Sequence, residues 1–179
     1  EAEKGMALGP ASRLVIGGQA QTLYLARRYD EAIEACNLCL ERDDSYTFAL
    51  HLRGQCHQMR GDFAKAIEDF ERAATLSCRA PFYLGILGHC YGECQRSGDA
   101  LRLIDELDAQ RRAQQVYVPP QCYVYIYAGL GDPAQALAYQ EEAYRDGASP
   151  FNYLSPNIRD LYALEPDHKR RLEQMRLVI

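Results

Sequence analysis

The chain has 179 residues, of which 47% are hydrophobic and 25% are charged, and its formal net charge is −5. This composition supports a packed interior and excludes an intrinsically disordered chain. Because the balance is acidic and Lys and Arg form no dense run outside residues 168–171, we predict no nucleic-acid binding by this segment. The longest apolar stretch, residues 122–130, is too short to span a bilayer, and no signal-peptide pattern opens the chain, so we predict no membrane insertion.

The sequence repeats itself with a period of 34 residues. Ala32, Ala66 and Ala100 lie at this interval, each within a similar run of apolar residues. A period of this length is typical of stacked helical hairpins, which bury apolar surface only between neighbours. We therefore predict an all-α solenoid whose functional surface is a groove rather than a catalytic cleft.

The period divides the chain into one array that begins within a repeat. Residues 1–12 are predicted to be the end of a preceding repeat that Pro10 closes. The complete repeats are predicted over residues 13–46, 47–80, 81–114 and 117–150. Residues 151–179 contain two short amphipathic segments, each introduced by a proline, which we predict to be capping helices. Since the first residue is not Met, the array is predicted to be a piece of a longer protein.

Turn signals separate the two helices of a hairpin. Gly61 suits the left-handed conformation that ends the first helix of the second repeat. In the fourth repeat, Gly131 precedes a potential capping residue, Asp132, and Pro133 suits the first position of a helix. These residues predict that a new helix begins at Pro133.

Small residues recur at fixed positions of both helices. Gly54 and Gly88 lie in the first helix of their repeats, and Ala32, Ala66 and Ala100 lie in the second. A small side chain lets two helices approach closely while larger neighbours fill the surrounding space. We therefore predict close helix contacts at these positions.

The seven cysteines form two close pairs and three isolated positions. Cys36 and Cys39 form a C-x-x-C pattern, and Cys90 and Cys94 lie one helical turn apart. Thiolates at such spacing can share a tetrahedral metal ion. In repeat register, however, Cys36 and Cys39 take packing positions that Phe and Ala fill one repeat later. We therefore predict free, buried thiols in a reducing, cytoplasmic compartment, with thiol metal binding as an alternative.

The repeated pattern resembles the tetratricopeptide repeat, whose consensus is W-x-x-L-G-x-x-Y followed by A-x-x-x-F and a proline. The matching residues are Leu50, Gly54, Ala66, Phe70 and Ala73 in the second repeat and Leu84, Leu87, Gly88, Tyr91, Ala100 and Ile104 in the third. The resemblance implies a right-handed α-α superhelix of about four hairpins. It also implies that the first helix of each hairpin, here named helix A, lines a concave groove, and that the second, helix B, lies outside it.

A narrower resemblance comes from the last third of the chain. Residues 125–137, the run Glu142-Ala143-Tyr144 and the helical tail resemble the C-terminal repeat modules of bacterial multidomain regulators. In that group, repeat arrays follow an adenylate cyclase, a kinase or a winged-helix DNA-binding domain and serve as sensors, scaffolds or dimerisation modules. The resemblance implies a regulatory domain, with homodimerisation as an alternative function.

The tetratricopeptide resemblance also implies which side chains face the groove. The predicted partner-binding residues are Tyr24, Phe48, His51, Gln55, Gln58, Met59, Phe82, His89, Glu93, Gln121 and Tyr125. This set contains no Lys or Arg, which disfavours the acidic C-terminal carboxylate that tetratricopeptide co-chaperones bind. Gly85 and Gly92 are predicted to leave room in the groove for a bulky ligand side chain.

Together these patterns predict a non-catalytic module that binds a peptide or a partner protein in the groove. Gln side chains can bond a peptide backbone, while Tyr, Phe and Met bury apolar side chains. His51 and His89 are candidates for Cys/His chemistry, but Cys56 and Cys90 occupy positions that pack inward, and no catalytic motif appears. We predict no enzyme activity, cofactor or metal. Packing of the groove residues against the chain's own tail remains an alternative.

Overall fold

The computed structural model describes residues 10–114 and 116–146 of the chain. Within these residues the backbone forms eight α-helices and no β-strand. The helices are α1 (Pro10–Leu25), α2 (Tyr29–Leu40), α3 (Thr47–Met59), α4 (Phe63–Leu76), α5 (Pro81–Glu93), α6 (Ser97–Ala113), α7 (Pro120–Gly129) and α8 (Pro133–Arg145). Because α1 packs on α2, α3 on α4 and α7 on α8, the predicted class of an all-α helical-repeat solenoid is confirmed. None of these eight helices is long and apolar enough to cross a membrane.

The helix boundaries follow the period and the prolines. α3 begins at Thr47 and α5 at Pro81, which are the first residues of the predicted second and third repeats. α1 begins at Pro10, because the fixed φ of proline suits the first helical position. Pro10 therefore opens a helix instead of closing a repeat. The predicted end of a preceding repeat at residues 1–9 and the predicted capping segments at 151–179 lie outside the described residues.

Two of the turns between helix A and helix B use the glycines that the sequence indicates. Gly61 and Gly131 adopt left-handed φ angles of +77° and +71°. Oδ1 of Asp132 accepts a hydrogen bond from the backbone N–H of Gln135 at 3.1 Å. α8 then begins at Pro133. The predicted turn conformations at Gly61 and Gly131 are confirmed, as is the start of α8.

The equivalent turns of the other two hairpins use residues with a side chain. Arg27 lies before α2 with a φ of +60°, and Gln95 lies before α6 with a φ of +63°. A Cβ atom makes the left-handed conformation unfavourable by about 1–2 kcal/mol. Arg27 and Gln95 therefore hold a backbone conformation that glycine would adopt at lower cost.

The chain divides into two compact units, unit 1 (Glu1–Tyr83) and unit 2 (Leu84–Ile179). The core of unit 1 joins α1, α2 and α3 through fully buried side chains that include Tyr24, Cys36 and Leu50. Within the α3–α4 hairpin, a Cβ atom built on Gly54 would lie 2.6 Å from Cε1 of Phe70. The close helix contact predicted at Gly54 is thus confirmed, and Phe70 occupies the space.

A charged network also joins α2, α3 and α4 of unit 1. The guanidinium of Arg53 donates to both carboxylate oxygens of Asp69, at 2.6 and 2.8 Å, and to Oδ1 of Asn37 at 2.7 Å. The side chain of Asp69 is only 6% exposed. A paired, buried carboxylate of this kind fixes the register of neighbouring helices.

In unit 2, glycines bring α5 against α7, the helix A of the following hairpin. A Cβ atom built on Gly88 would lie 2.6 Å from Cγ1 of Ile126, and one built on Gly92 would lie 2.4 Å from the backbone C of Gly129. The close contact predicted at Gly88 is confirmed, and its partner is a helix A. Backbone-to-backbone packing of this kind is possible only where both helices carry small residues.

Candidate functional site

Helix A of unit 1 carries three predicted partner-binding residues that solvent reaches. Phe82 in the first turn of α5 is 43% exposed, while Phe48 and Met59 at the two ends of α3 are half-buried. Aromatic and Met side chains in such positions can lose further surface to a ligand. These three side chains therefore define the accessible part of the predicted surface in unit 1, and we name them the unit 1 face.

The remaining predicted residues of unit 1 are covered. Tyr24, His51, Gln55 and Gln58 are all buried, although they occupy helix-A positions. Tyr24 lies beside Tyr29, with ring centroids 6.1 Å apart. These residues therefore do not form an accessible surface.

His51 occupies an aromatic pocket below Phe82. Its ring centroid lies 5.1 Å from that of Phe82, 6.1 Å from that of Tyr83 and 6.2 Å from that of Phe70, and the Phe82 and Tyr83 rings stand edge-on to it. Nδ1 of His51 is buried and has no hydrogen-bond partner. Burial lowers the pKa of His51 to about 4, so the ring is neutral at pH 7.

Sequence patterns did not identify Tyr83 and Phe70 as parts of this pocket. Tyr83 is half-buried and packs against the core of unit 1, and its ring lies 5.3 Å from that of Phe82. The available signal was the Phe82-Tyr83 dipeptide directly after Pro81, since adjacent aromatics in the first turn of a helix point to different neighbours.

Phe48 rests on its neighbours at the other end of the unit 1 face. Its ring centroid lies 6.0 Å from that of Tyr46, and a Cβ atom built on Gly17 would lie 3.2 Å from Cε1 of Phe48. Gly17 of α1 therefore supplies the space in which the ring lies. The contacts with Tyr46 and Gly17 therefore position the partly exposed ring of Phe48.

In unit 2, most of the predicted residues are buried. His89, Gln121 and Tyr125 are covered, and only Glu93 is exposed. Nε2 of His89 lies 3.9 Å from Oε1 of Glu93. Burial lowers the pKa of His89, and the Glu93 carboxylate opposes that shift. Nε2 of Gln121 is buried without a hydrogen-bond partner.

The predicted room for a ligand beside Gly85 and Gly92 is absent, so this prediction is wrong. A Cβ atom built on Gly85 would lie 2.9 Å from Cα of Cys122, and one built on Gly92 would meet the backbone of Gly129. The space that these glycines create is filled by the backbone of α7. The glycines serve helix packing and not ligand binding.

The cysteines take the packing positions predicted for them. Cys36, Cys39, Cys56 and Cys90 are buried free thiols. Burial raises the pKa values of Cys56 and Cys90 to about 12, which keeps both thiols protonated at neutral pH. Among residues 10–114 and 116–146, no group of three or more His, Cys, Asp or Glu side chains is placed to hold a metal ion.

The helical hairpins define a helical-repeat protein. Residues 47–79, which form the α3–α4 hairpin, match the family model of the tetratricopeptide repeat. The match and the eight described helices together support a tetratricopeptide repeat protein. This fold is a non-enzymatic one that generally mediates protein–protein interaction. No curated protein matches the chain.

Proposed function

We propose that the chain is a non-catalytic protein–protein interaction module, and that the unit 1 face binds a peptide segment of the partner. The observation that carries this proposal is the partial exposure of Phe48 and Met59 on α3, in the hairpin that matches the family model, and of Phe82 in the first turn of α5. Aromatic and Met side chains that are already fixed by their neighbours lose little conformational entropy on binding. They are therefore suited to anchor a partner.

The charge of this surface favours an uncharged peptide. The predicted partner-binding residues of unit 1 include no acidic or basic side chain, and His51 is neutral at pH 7 because burial holds its pKa at about 4. An isolated charge buried against such a surface would lose its hydration without gaining a counter-charge. We therefore propose an apolar peptide segment as the ligand, and no enzymatic turnover.

The test is selection of binding peptides from a random phage-displayed library with the immobilised full chain. The double variant Phe48→Ala/Phe82→Ala is expected to lose most of the enrichment, because both apolar anchors are removed. The matched control is Leu38→Ala/Leu76→Ala, which removes side chains of similar exposure from helix B of the same unit. Far-ultraviolet circular dichroism and thermal melting establish that both variants are folded.

Equal enrichment by the wild type and the Phe48→Ala/Phe82→Ala variant would exclude the unit 1 face. Loss of enrichment in the helix B control alone would move the site to helix B. Loss in the face variant alone is the outcome that the proposal expects.

A second candidate function is self-association through unit 2. Val116 and Tyr117 are adjacent in the loop before α7, and Tyr117 is 67% exposed, so they present an apolar surface that a second copy can cover. Light scattering of the full chain over a range of concentrations measures this directly. A dimer that dissociates in the Val116→Asp/Tyr117→Asp variant is expected, and a monomer at the highest concentration would exclude it.

We further propose that the module is the scaffold or sensor part of a larger cytoplasmic regulator. The support is the resemblance of residues 125–137 to the repeat modules of bacterial regulators, together with the buried free thiols at Cys36 and Cys39. The coding sequence beyond both ends of the chain tests this proposal, and an adjoining effector domain is the expected result. Extension by further repeats alone would contradict it.

A further inference from the structure

One ring nitrogen of the buried His51 side chain makes no hydrogen bond. His51 is 7% exposed, and its Nδ1 atom has no partner. Buried polar groups in folded proteins are almost always hydrogen-bonded, because an unsatisfied group forfeits its bonds to water. Nδ1 of His51, whose ring lies beside Phe82 of the proposed binding surface, is therefore an atom to which a ligand can form a hydrogen bond.

Phe82 is the covering ring with access to solvent. Of the three rings around His51, Phe70 is fully buried and Tyr83 is half-buried, whereas Phe82 is 43% exposed. The Phe82 ring stands edge-on to the imidazole at an interplanar angle of 64°. A change of χ1 at Phe82, the exposed ring of the three, is therefore the side-chain movement that would uncover His51.

The surroundings of His51 define the ligand group that fits. Aromatic rings surround the imidazole, and Nδ1 of His51 is a polar atom that has no partner. The complementary ligand side chain therefore has an aromatic body and a polar tip. A phenol hydroxyl both donates and accepts a hydrogen bond, so it can pair with Nδ1 in either neutral tautomer of the imidazole. A carboxylate or an ammonium group would be buried there without a counter-charge.

We propose that His51 and Phe82 form a niche for a tyrosine side chain of the bound peptide, whose ring packs against Phe82 and whose hydroxyl forms a hydrogen bond with Nδ1 of His51. This inference rests on the proposed function and specifies the side chain that the unit 1 face recognises. It also explains why a residue at a helix-A position is both buried and unpaired.

Two acetylated and amidated pentapeptides test the niche with the full chain, Gly-Ala-Tyr-Ala-Gly and Gly-Ala-Phe-Ala-Gly. Because one hydrogen bond to an otherwise unsatisfied group favours binding by about 0.5–1.5 kcal/mol, the tyrosine peptide is expected to bind about fivefold more tightly. Imidazole ¹⁵N resonances report the site: Nδ1 of His51 should shift with the tyrosine peptide and much less with the phenylalanine peptide.

The variant His51→Phe keeps an aromatic ring and removes the acceptor. It is expected to bind both peptides equally, while His57→Gln on the same helix is expected to keep the wild-type preference. His51→Gln retains a hydrogen-bonding group and is expected to keep part of the preference, which separates loss of the acceptor from a general loss of packing.

Equal binding of the two peptides by the wild type, or a tyrosine preference that persists in His51→Phe, would overturn the niche. If peptide selection still depends on Phe48 and Phe82 in that case, the proposed function stands and only the niche fails. If selection does not depend on them, the unit 1 face itself is excluded.

Discussion

The two units use glycine in helix A to different ends. In unit 1, Gly54 receives the ring of Phe70 from helix B of its own hairpin. In unit 2, Gly85 and Gly92 receive the backbone of α7, which is helix A of the next hairpin. The first arrangement brings the two helices of one hairpin close together, and Phe82 at the helix-A surface of unit 1 is exposed. The second joins two helices A directly and leaves no space for a ligand between them.

This difference bears on our proposal that unit 1 carries the ligand-binding surface, because packing, and not repeat position alone, decides which helix-A side chains are accessible. His51 in unit 1 and His89 in unit 2 are both buried on a helix A, but at different repeat positions, because the 34-residue period aligns His51 with Gly85 and His89 with Gln55. His51 lies beneath an exposed aromatic ring, whereas the backbone of His89 contacts Gly129. Uncovering His51 would require a side-chain movement, whereas uncovering the backbone of His89 would require α5 and α7 to separate. The following substitutions test how far the two units differ, from the largest expected effect to the smallest.

Replacing a helix-A glycine by alanine should lower the free energy of unfolding more in unit 2 than in unit 1. The Cβ atom of Gly129→Ala would lie 2.2 Å from the carbonyl oxygen of His89, and backbone cannot move aside, so we expect a loss of about 4 kcal/mol in the free energy of unfolding. Gly54→Ala meets a side chain and should lose about 2 kcal/mol. Urea denaturation measures both changes.

The control is Gly98→Ala, because a Cβ atom there has no neighbour within 4 Å. It should change stability by less than about 1 kcal/mol. A cost for Gly54→Ala equal to that of Gly129→Ala would contradict the distinction between side-chain and backbone contact.

The Arg53–Asp69 ion pair of unit 1 should contribute more to the free energy of unfolding than the Arg111–Glu142 ion pair of unit 2. Asp69→Asn leaves Arg53 facing a neutral amide at a largely buried position and is expected to destabilise the chain by about 3 kcal/mol. Glu142→Gln breaks the more exposed pair with Arg111, whose atoms lie 2.5 Å apart, and should cost at most about 1 kcal/mol. Chemical denaturation at low and high salt measures the loss in the free energy of unfolding for both variants. Equal losses for Asp69→Asn and Glu142→Gln would contradict this expectation.

The burial of His51 predicts acid sensitivity of the folded state. Its folded pKa of about 4 lies below the ordinary value of 6.5, so the unfolded chain binds a proton first as the pH falls. Protonation of His51 in the unfolded chain should therefore leave the free energy of unfolding unchanged above pH 6.5. Between pH 6.5 and 4 it should lower the free energy of unfolding by an amount on the order of 3 kcal/mol. Urea denaturation of the wild type and of His51→Phe between pH 6.5 and 4 isolates the contribution of His51 to this loss.

His57→Phe supplies the control on the same helix, because His57 is only half-buried; burial lowers its pKa, and the nearby carboxylates of Asp69 and Asp62 oppose that shift. The free energy of unfolding of the wild type should fall relative to that of His51→Phe as the pH falls from 6.5 to 4. A constant difference would show that His51 titrates normally and is not shielded by Phe82.

The smallest expected effect concerns the turns. Gln95→Gly in unit 2 should raise the free energy of unfolding by about 1 kcal/mol, since glycine adopts the φ of +63° without a Cβ clash. Gly61→Ala in unit 1, at a φ of +77°, should lower it by a similar amount. Thermal melting measures both, and a destabilised Gln95→Gly variant would contradict this account of the turns.

Local chemistry made the turns and the hairpins predictable from sequence. The turn conformations follow from the residue types at Gly61 and in the run Gly131-Asp132-Pro133. They can therefore be inferred without knowing which helices lie nearby. Gln95 lies 34 residues after Gly61, so the period gives its place in the turn, but a Gln side chain is no local signal for a left-handed φ.

The candidate site was only partly predictable for the same reason. Helix-A positions follow from the repeat register, but the exposure of each side chain depends on the neighbouring helix. His51 and Gln55 are buried by neighbours that the sequence does not locate, and Gly92 contacts a backbone where open space was predicted. Phe48 and Phe82 remain accessible because aromatic neighbours hold them at the surface.

Site-specific photo-crosslinking tests the central proposal most directly. A benzophenone side chain is introduced at Phe82 of the unit 1 face, at Leu38 of helix B, or at Tyr117 of unit 2. Each variant of the 179-residue chain is then irradiated with a peptide selected by the wild type. We expect covalent capture of the peptide at position 82 and none above background at positions 38 and 117. Capture at position 38 or 117 without capture at position 82 would contradict peptide binding by the unit 1 face.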